Sequence, residues 1–194
     1  CIFGGCCGTT PDYIRKIAAG ISPDYPVGSR ETVAEVTVSS EKPAYGFMER
    51  RVKDPSHKLV AVELVPPLNA DDEKLLDAAH ILKNAEVDVV TFPDSPSGRT
   101  RADSVLMAEK IRLETGLCVM PHICCRDKNA IAIRSTILGA SLNHITNFLL
   151  LTGDPVPVLF RQTTKSVFNF DSVGMMKIVQ EMNSDTFSEH PVTY

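Results

Sequence analysis

No long run of lysine or arginine occurs in this chain, and its basic residues are not interleaved with aromatics, which make up only 6% of it. Together with a net charge of −4, this leaves no basic stripe for nucleic acid or an acidic membrane surface. Long apolar runs are missing as well: none approaches the ~20 residues of a membrane-spanning helix, and no signal peptide is visible. The regular cysteine spacing of a disulfide scaffold is absent too. Four of the six cysteines form two adjacent pairs, Cys6-Cys7 and Cys124-Cys125, which is not the spacing of a secreted disulfide framework and suits reduced thiols in the cytoplasm. Neither GxGxxG nor GxxxxGK[ST] follows any apolar segment, so the dinucleotide fingerprint and the P-loop are excluded. There is no initiator methionine. The chain opens Cys1-Ile2-Phe3, already inside a motif, and reads as a piece of something longer.

What is present is 194 residues of 43% hydrophobic content, enough to bury a core. Residues 20–57 are rich in proline, glycine, serine and charge around one short alternating run, "TVAEVTV", and read as a linker. From residue 58 onward apolar strands alternate with amphipathic helices. "KLVAVELVPP" is a strand closed by prolines, and the segment after it places Leu75, Ala78, Ala79 and Leu82 at helical spacing. "VDVVTFP" is almost continuously apolar, as suits a parallel strand covered on both faces. A helix stopped by Gly116 follows, then the strand "LCVMPHICC", a helix from Asp127 to about Leu138 with Asp127 as its cap, and the strand "HITNFLLLTGD". Asp171 caps a fourth helix, and "HPVTY" begins a fifth strand. Met107, Met175 and Met176 read as core fillers.

Four successive βα units imply an α/β fold with a parallel sheet and right-handed crossovers, either doubly wound or a barrel. The missing phosphate-binding fingerprints favour a barrel. Residues 58–194 supply about half of the roughly 250 residues that eight strands require. Glu63, Thr91, His122 and Asp154 fall at or just past the carboxyl ends of successive strands, where such folds carry their sites.

The stretch "GGCCGTTPDYIRKIA" resembles the C-terminal motif of zinc-dependent homocysteine S-methyltransferases, and "VELVPP", "DVVTFPDS", "VMPHICCRD" and "NFLLLTGDP" resemble methylenetetrahydrofolate reductases. Their order is similar to that of the bifunctional homocysteine S-methyltransferase/methylenetetrahydrofolate reductase family. The resemblance implies a partial (β/α) TIM-barrel of four to five βα units. Residues 1–19 would end a methyltransferase barrel, 20–57 would link, and 58–194 would begin a reductase barrel.

By the same resemblance Cys6 and Cys7 ligate zinc with a third cysteine that this chain does not supply, Cys118, Cys124 and Cys125 being poor candidates. The plainer reading is two inert thiols. Glu63 is implied to protonate the folate. Its apolar flanks would desolvate it and raise its pKa toward general-acid range, and its plainer role is a surface charge at a strand end. Thr91 and His122 are implied FAD contacts, although a single strand-end histidine also serves as a structural hydrogen-bonder. Leu151, Thr152, Gly153 and Asp154 would line flavin and folate, with Gly153 letting backbone approach a flat ring. A plain Gly-Asp-Pro turn is the alternative, and Thr152 stands where family members often carry arginine.

The implied activity is FAD-dependent reduction of methylenetetrahydrofolate to methyltetrahydrofolate, with NAD(P)H as electron donor, coupled to methyl transfer to homocysteine. Folate and homocysteine are the implied small-molecule partners. Three rivals remain: a non-catalytic partial barrel paired with a second copy or a complementary chain through its exposed edge, a zinc-thiolate methyltransferase module, and a pterin-binding methyltransferase barrel without flavin.

Overall fold

The computed structural model describes residues 10–20 and 46–184. Cys6, Cys7, the run "TVAEVTV" and the closing "HPVTY" lie outside them. The chain divides into two compact units, Cys1–Ser39 and Ser40–Tyr194. In the first, helix α1 spans Pro11–Gly20. Proline at its first position gives up an N–H that would have no helical partner. Asp12 in the first turn suits the helix dipole and pairs with Arg15.

The second unit holds α2 (Glu49–Lys53), β1 (Ala61–Glu63), α3 (Glu73–Asn84), β2 (Val89–Phe92), α4 (Ser104–Thr115), β3 (Val119–Cys124), α5 (Ala130–Leu142), β4 (Leu149–Leu151) and α6 (Ser172–Asn183). All four strands are parallel and pair in chain order, β1-β2-β3-β4. This is the parallel α/β arrangement that the alternation predicts, and its sequential strand order is that of a partial barrel.

The helices begin and end for local reasons. Asp103 accepts from the backbone N–H groups of Val105 and Leu106 to start α4, and Gly116 ends it in the left-handed region at φ 67°. Asp171 caps α6 through Gly174 N. At α5 the expected cap is corrected. Asn129, not Asp127, accepts from Ala132 N, because the Asp127 carboxylate is taken by the Arg126 guanidinium at 2.6–3.0 Å, a charge-assisted fork stronger than a neutral cap bond.

Residues 46–57 lie inside the stretch read as linker, yet they carry a turn, Gly46–Met48, and helix α2. They are tied to the start of β2. Arg50 Nη1 donates to Glu86 O at 2.5 Å, and His57 Nε2 lies 3.0 Å from the buried Asp88 carboxylate. The second Asp88 oxygen accepts from Val60 N at 2.8 Å. Burial alone would push the Asp88 carboxyl up, but the Val60 N–H, His57 and the Arg50 charge outweigh it and hold it below the usual carboxylate range.

Register fixes which side chains share a face. Val90 pairs with Val119, and Phe92 with Pro121. These four are buried, and Val90, Phe92 and Val119 join Ile123 and Cys125 in the core that α3 to α6 cover with Leu75, Ala108, Ile111, Ile133, Ile137 and Met175. Met107 is buried as expected, whereas Met176 is exposed. The helical period puts Met175, Ile178 and Met182 inward and turns Met176 out. The opposite sheet face carries Glu63, Thr91, Met120, His122, Cys124, Leu149 and Leu151.

Candidate functional site at the strand ends

Glu63 pairs in register with Thr91, Thr91 with Met120, and His122 with Leu149. Glu63, Thr91 and His122 therefore stand on one face of three neighbouring strands near their carboxyl ends. The environment of Glu63 differs from the expectation. Its apolar sequence neighbours do not bury it: β1 lies at the sheet edge and the glutamate is exposed. Thr91 is half-buried, and its carbonyl accepts from Leu64 N at 2.9 Å.

His122 is the most constrained of the three. It is 6% exposed, its carbonyl accepts from Ser104 Oγ at 2.7 Å, and its buried Nε2 has no hydrogen-bond partner. Burial pushes the imidazole pKa down, only partly offset by the Glu63 and Asp94 carboxylates. A buried ring nitrogen without a partner costs about 1–3 kcal/mol, which marks the position as one a ligand atom would satisfy.

The β4 end is organised by its neighbours. Leu151 is exposed, and its carbonyl accepts from Cys125 N at 3.3 Å. Thr152 Oγ1 accepts from Ser172 N at 3.1 Å, which anchors the start of α6. Gly153 has φ 93°, and a Cβ there would lie 2.9 Å from Cys124 Cβ and 3.3 Å from Arg126 Cβ. The close approach that requires glycine is thus made to Cys124 at the end of β3 and to Arg126 just past it. Asp154 is exposed, and its Oδ2 accepts from Ser97 N at 2.6 Å.

Sequence reasoning missed Asp94 and Lys128. Asp94 Oδ2 accepts from Cys124 N at 3.0 Å and from Lys128 Nζ at 2.6 Å. Burial would lower the lysine pKa, but the Asp94 charge and hydrogen bond hold it above its ordinary value. The partners are 34 residues apart in the chain, and only β2–β3 pairing brings them together. Cys124 and Cys125, adjacent in sequence, point to opposite faces. Burial, with Asp94 nearby, pushes the Cys124 thiol up to about 11, so it is protonated and inert at neutral pH. Cys125 donates to Phe170 O at 2.7 Å on the helix side, and burial raises its pKa too. Among the described residues no group of three or more His, Cys, Asp or Glu could hold a metal ion; Cys6 and Cys7 are not among them. Nor is any helix of the described residues long and apolar enough to cross a membrane.

Residues 48–192 match the family described as Methylenetetrahydrofolate reductase. The chain belongs to the methylenetetrahydrofolate reductase family. The match begins at the turn that leads into α2 and takes in all four strands of this reductase-family sheet. The chain is also similar to methionine synthase of Mycobacterium leprae (strain TN), 42% identical over 53 residues, which is 25% of this chain and 4% of that protein's length. A solved structure, the carboxyl transferase domain from Rhizobium etli pyruvate carboxylase with pyruvate, aligns over 68% of this chain and 24% of that one with a TM-score of 0.37 and 18% identity.

Proposed function

We propose that the strand-end site serves reduction of methylenetetrahydrofolate to methyltetrahydrofolate with bound FAD, in an intact protein of which these residues form a part. The observation that carries the reading is the alignment of Glu63, Thr91 and His122 on one sheet face, with a buried His122 Nε2 that lacks a partner, in a chain of this family. That partnerless nitrogen is the feature of these residues that fits a cofactor. The chemistry that bound FAD supplies is hydride transfer, with a reduced nicotinamide as the source of electrons.

The chain's own residues do the positioning and the acid chemistry. Glu63 donates a proton to a folate nitrogen, which opens the bridging methylene to an iminium ready to accept hydride. His122, its imidazole held toward the neutral form by burial, offers Nε2 to the cofactor. Thr91 orients the same ligand, and the backbone of Leu151, Thr152 and Gly153 lines it. Asp154, at the β4 end, would help to hold flavin and folate there. Replacing Glu63 by Gln in the intact protein is expected to lower folate turnover by about 10²- to 10⁴-fold, the range general acids contribute, with flavin absorbance retained. Turnover at the wild-type rate would remove Glu63 from the chemistry.

A coupled methyl transfer to homocysteine forms the second part of the proposal. In it Cys6 and Cys7 hold zinc with a cysteine from elsewhere in the protein. The "GGCC" motif and the local likeness to methionine synthase support it. Residues 1–19 then close the methyltransferase barrel, and 58–194 begin the reductase barrel, with 46–57 as its docked lead-in.

A further inference from the structure

We propose that Arg126 is a positioning residue that fixes the Asp154 carboxylate by locking the loop after β2 to the loop after β4 across the end of β3. The inference rests on the reading of Asp154 as a site residue. Arg126 is 2% exposed. Its Nε and Nη2 grip the Asp127 carboxylate, which orients the planar fork and leaves Nη1 to bridge the two loops. That nitrogen donates to Ser95 O at 3.1 Å and to Asp154 O at 3.4 Å. The Arg126 carbonyl accepts from Val167 N at 2.6 Å, so the residue is held from both ends.

The loop it grips is shaped for one purpose. Ser95 and Ser97 are both in the left-handed region, at φ 46° and 56°, a conformation that non-glycine residues keep only where tertiary contacts impose it. The result is that Ser97 N points at Asp154 Oδ2, 2.6 Å away. Gly98 completes the turn at φ 65°, and a Cβ there would lie 2.7 Å from Pro155 O and 2.8 Å from Pro157 Cδ. The two loops are therefore seated backbone against backbone, and the guanidinium is the group that donates to both. A lysine keeps the charge but cannot reproduce a planar fork that holds Asp127 and two carbonyls together.

Amide hydrogen exchange at Ser97 in the full chain tests the lock directly. In Arg126→Lys, exchange at Ser97 is expected to rise by about tenfold or more while the melting temperature stays near wild type. In the intact protein the same variant is expected to lower kcat about 10-fold, the scale of a small misplacement of a working group, with little change in KM. In an Asp154→Ala background Arg126→Lys should cause no further loss. Wild-type protection of Ser97 in Arg126→Lys would overturn the proposal, as would losses that multiply in the Asp154→Ala background. Should Arg126→Lys fail to fold, Asp127→Asn loosens the grip on the fork with Arg126 in place and carries the same exchange measurement. Faster Ser97 exchange in Arg126→Lys, combined with wild-type turnover in Asp154→Ala, upholds the lock and retires only the catalytic reading of Asp154.

Discussion

Asp88 stands at the start of β2, at the opposite end of the strands from the candidate site, and its buried carboxylate gathers Val60 N, His57 and Arg50. Because its folded pKa is lowered, its contribution to stability is fully present above the ordinary aspartate value near ~3.9 and is lost as pH falls through the folded value. Asp88→Asn is expected to destabilise the fold by about 1–3 kcal/mol at neutral pH. Urea unfolding measured from pH 7 downward should show that gap narrowing below about pH 4. His122 behaves with the same sign from a different start. Its folded pKa lies below the ordinary ~6.5, so its imidazole should titrate below that value in NMR spectra, and the stability held in its neutral form fades as the solution is acidified through that range. Of these two groups only His122 was legible in the sequence. His122 could be placed because it lies near the carboxyl end of an apolar strand. Asp88 could not, because two of its partners, Arg50 and His57, lie in a stretch whose composition reads as linker. Glu63 was locatable but its exposure was not, since flanking apolar residues bury a side chain only when a neighbouring strand covers that face.

At the scale of elements, the alternation of apolar strands and amphipathic helices made all four βα units legible, and Asp171 and Gly116 gave their roles away by residue type. The cap of α5 did not, because Asp127 and Asn129 are equally good caps in sequence and only the Arg126 fork separates them. The strand-end loops were legible only as turns. Their pairing depends on two parallel strands that skip a neighbour. Two glycines of like backbone angle test that distinction. Gly116→Ala meets only the Lys83 Nζ tip at 3.6 Å, so it should cost about 1–2 kcal/mol of left-handed backbone strain. Gly98→Ala meets Pro155 O at 2.7 Å, and must add displacement of a neighbouring backbone to that. Thermal unfolding of the two variants should rank Gly98→Ala as clearly the less stable, and equal melting temperatures would contradict the packed-loop geometry.

Across the whole second unit, one sheet face is covered by helices, and on the other the described residues bury His122 and Cys124 but leave Glu63, Leu149 and Leu151 exposed. Leu149 and Leu151 stand 41% and 36% exposed there, on β4, the edge strand opposite to the one that carries Glu63, and no described strand pairs with the outer side of β4. Contiguous apolar surface and unpaired strand edges draw partners, so residues 1–194 expressed alone are expected to sediment above monomer mass. Leu149→Lys should shift them toward monomer. A concentration-independent monomer in both cases would show the face to be self-sufficient. The strand order carries a consequence for biosynthesis. Because each strand of the sheet lies beside the one made just before it, every newly translated βα unit meets a finished edge as it leaves the ribosome. Assembly can therefore proceed stepwise along the nascent polypeptide, without waiting for a distant segment to arrive.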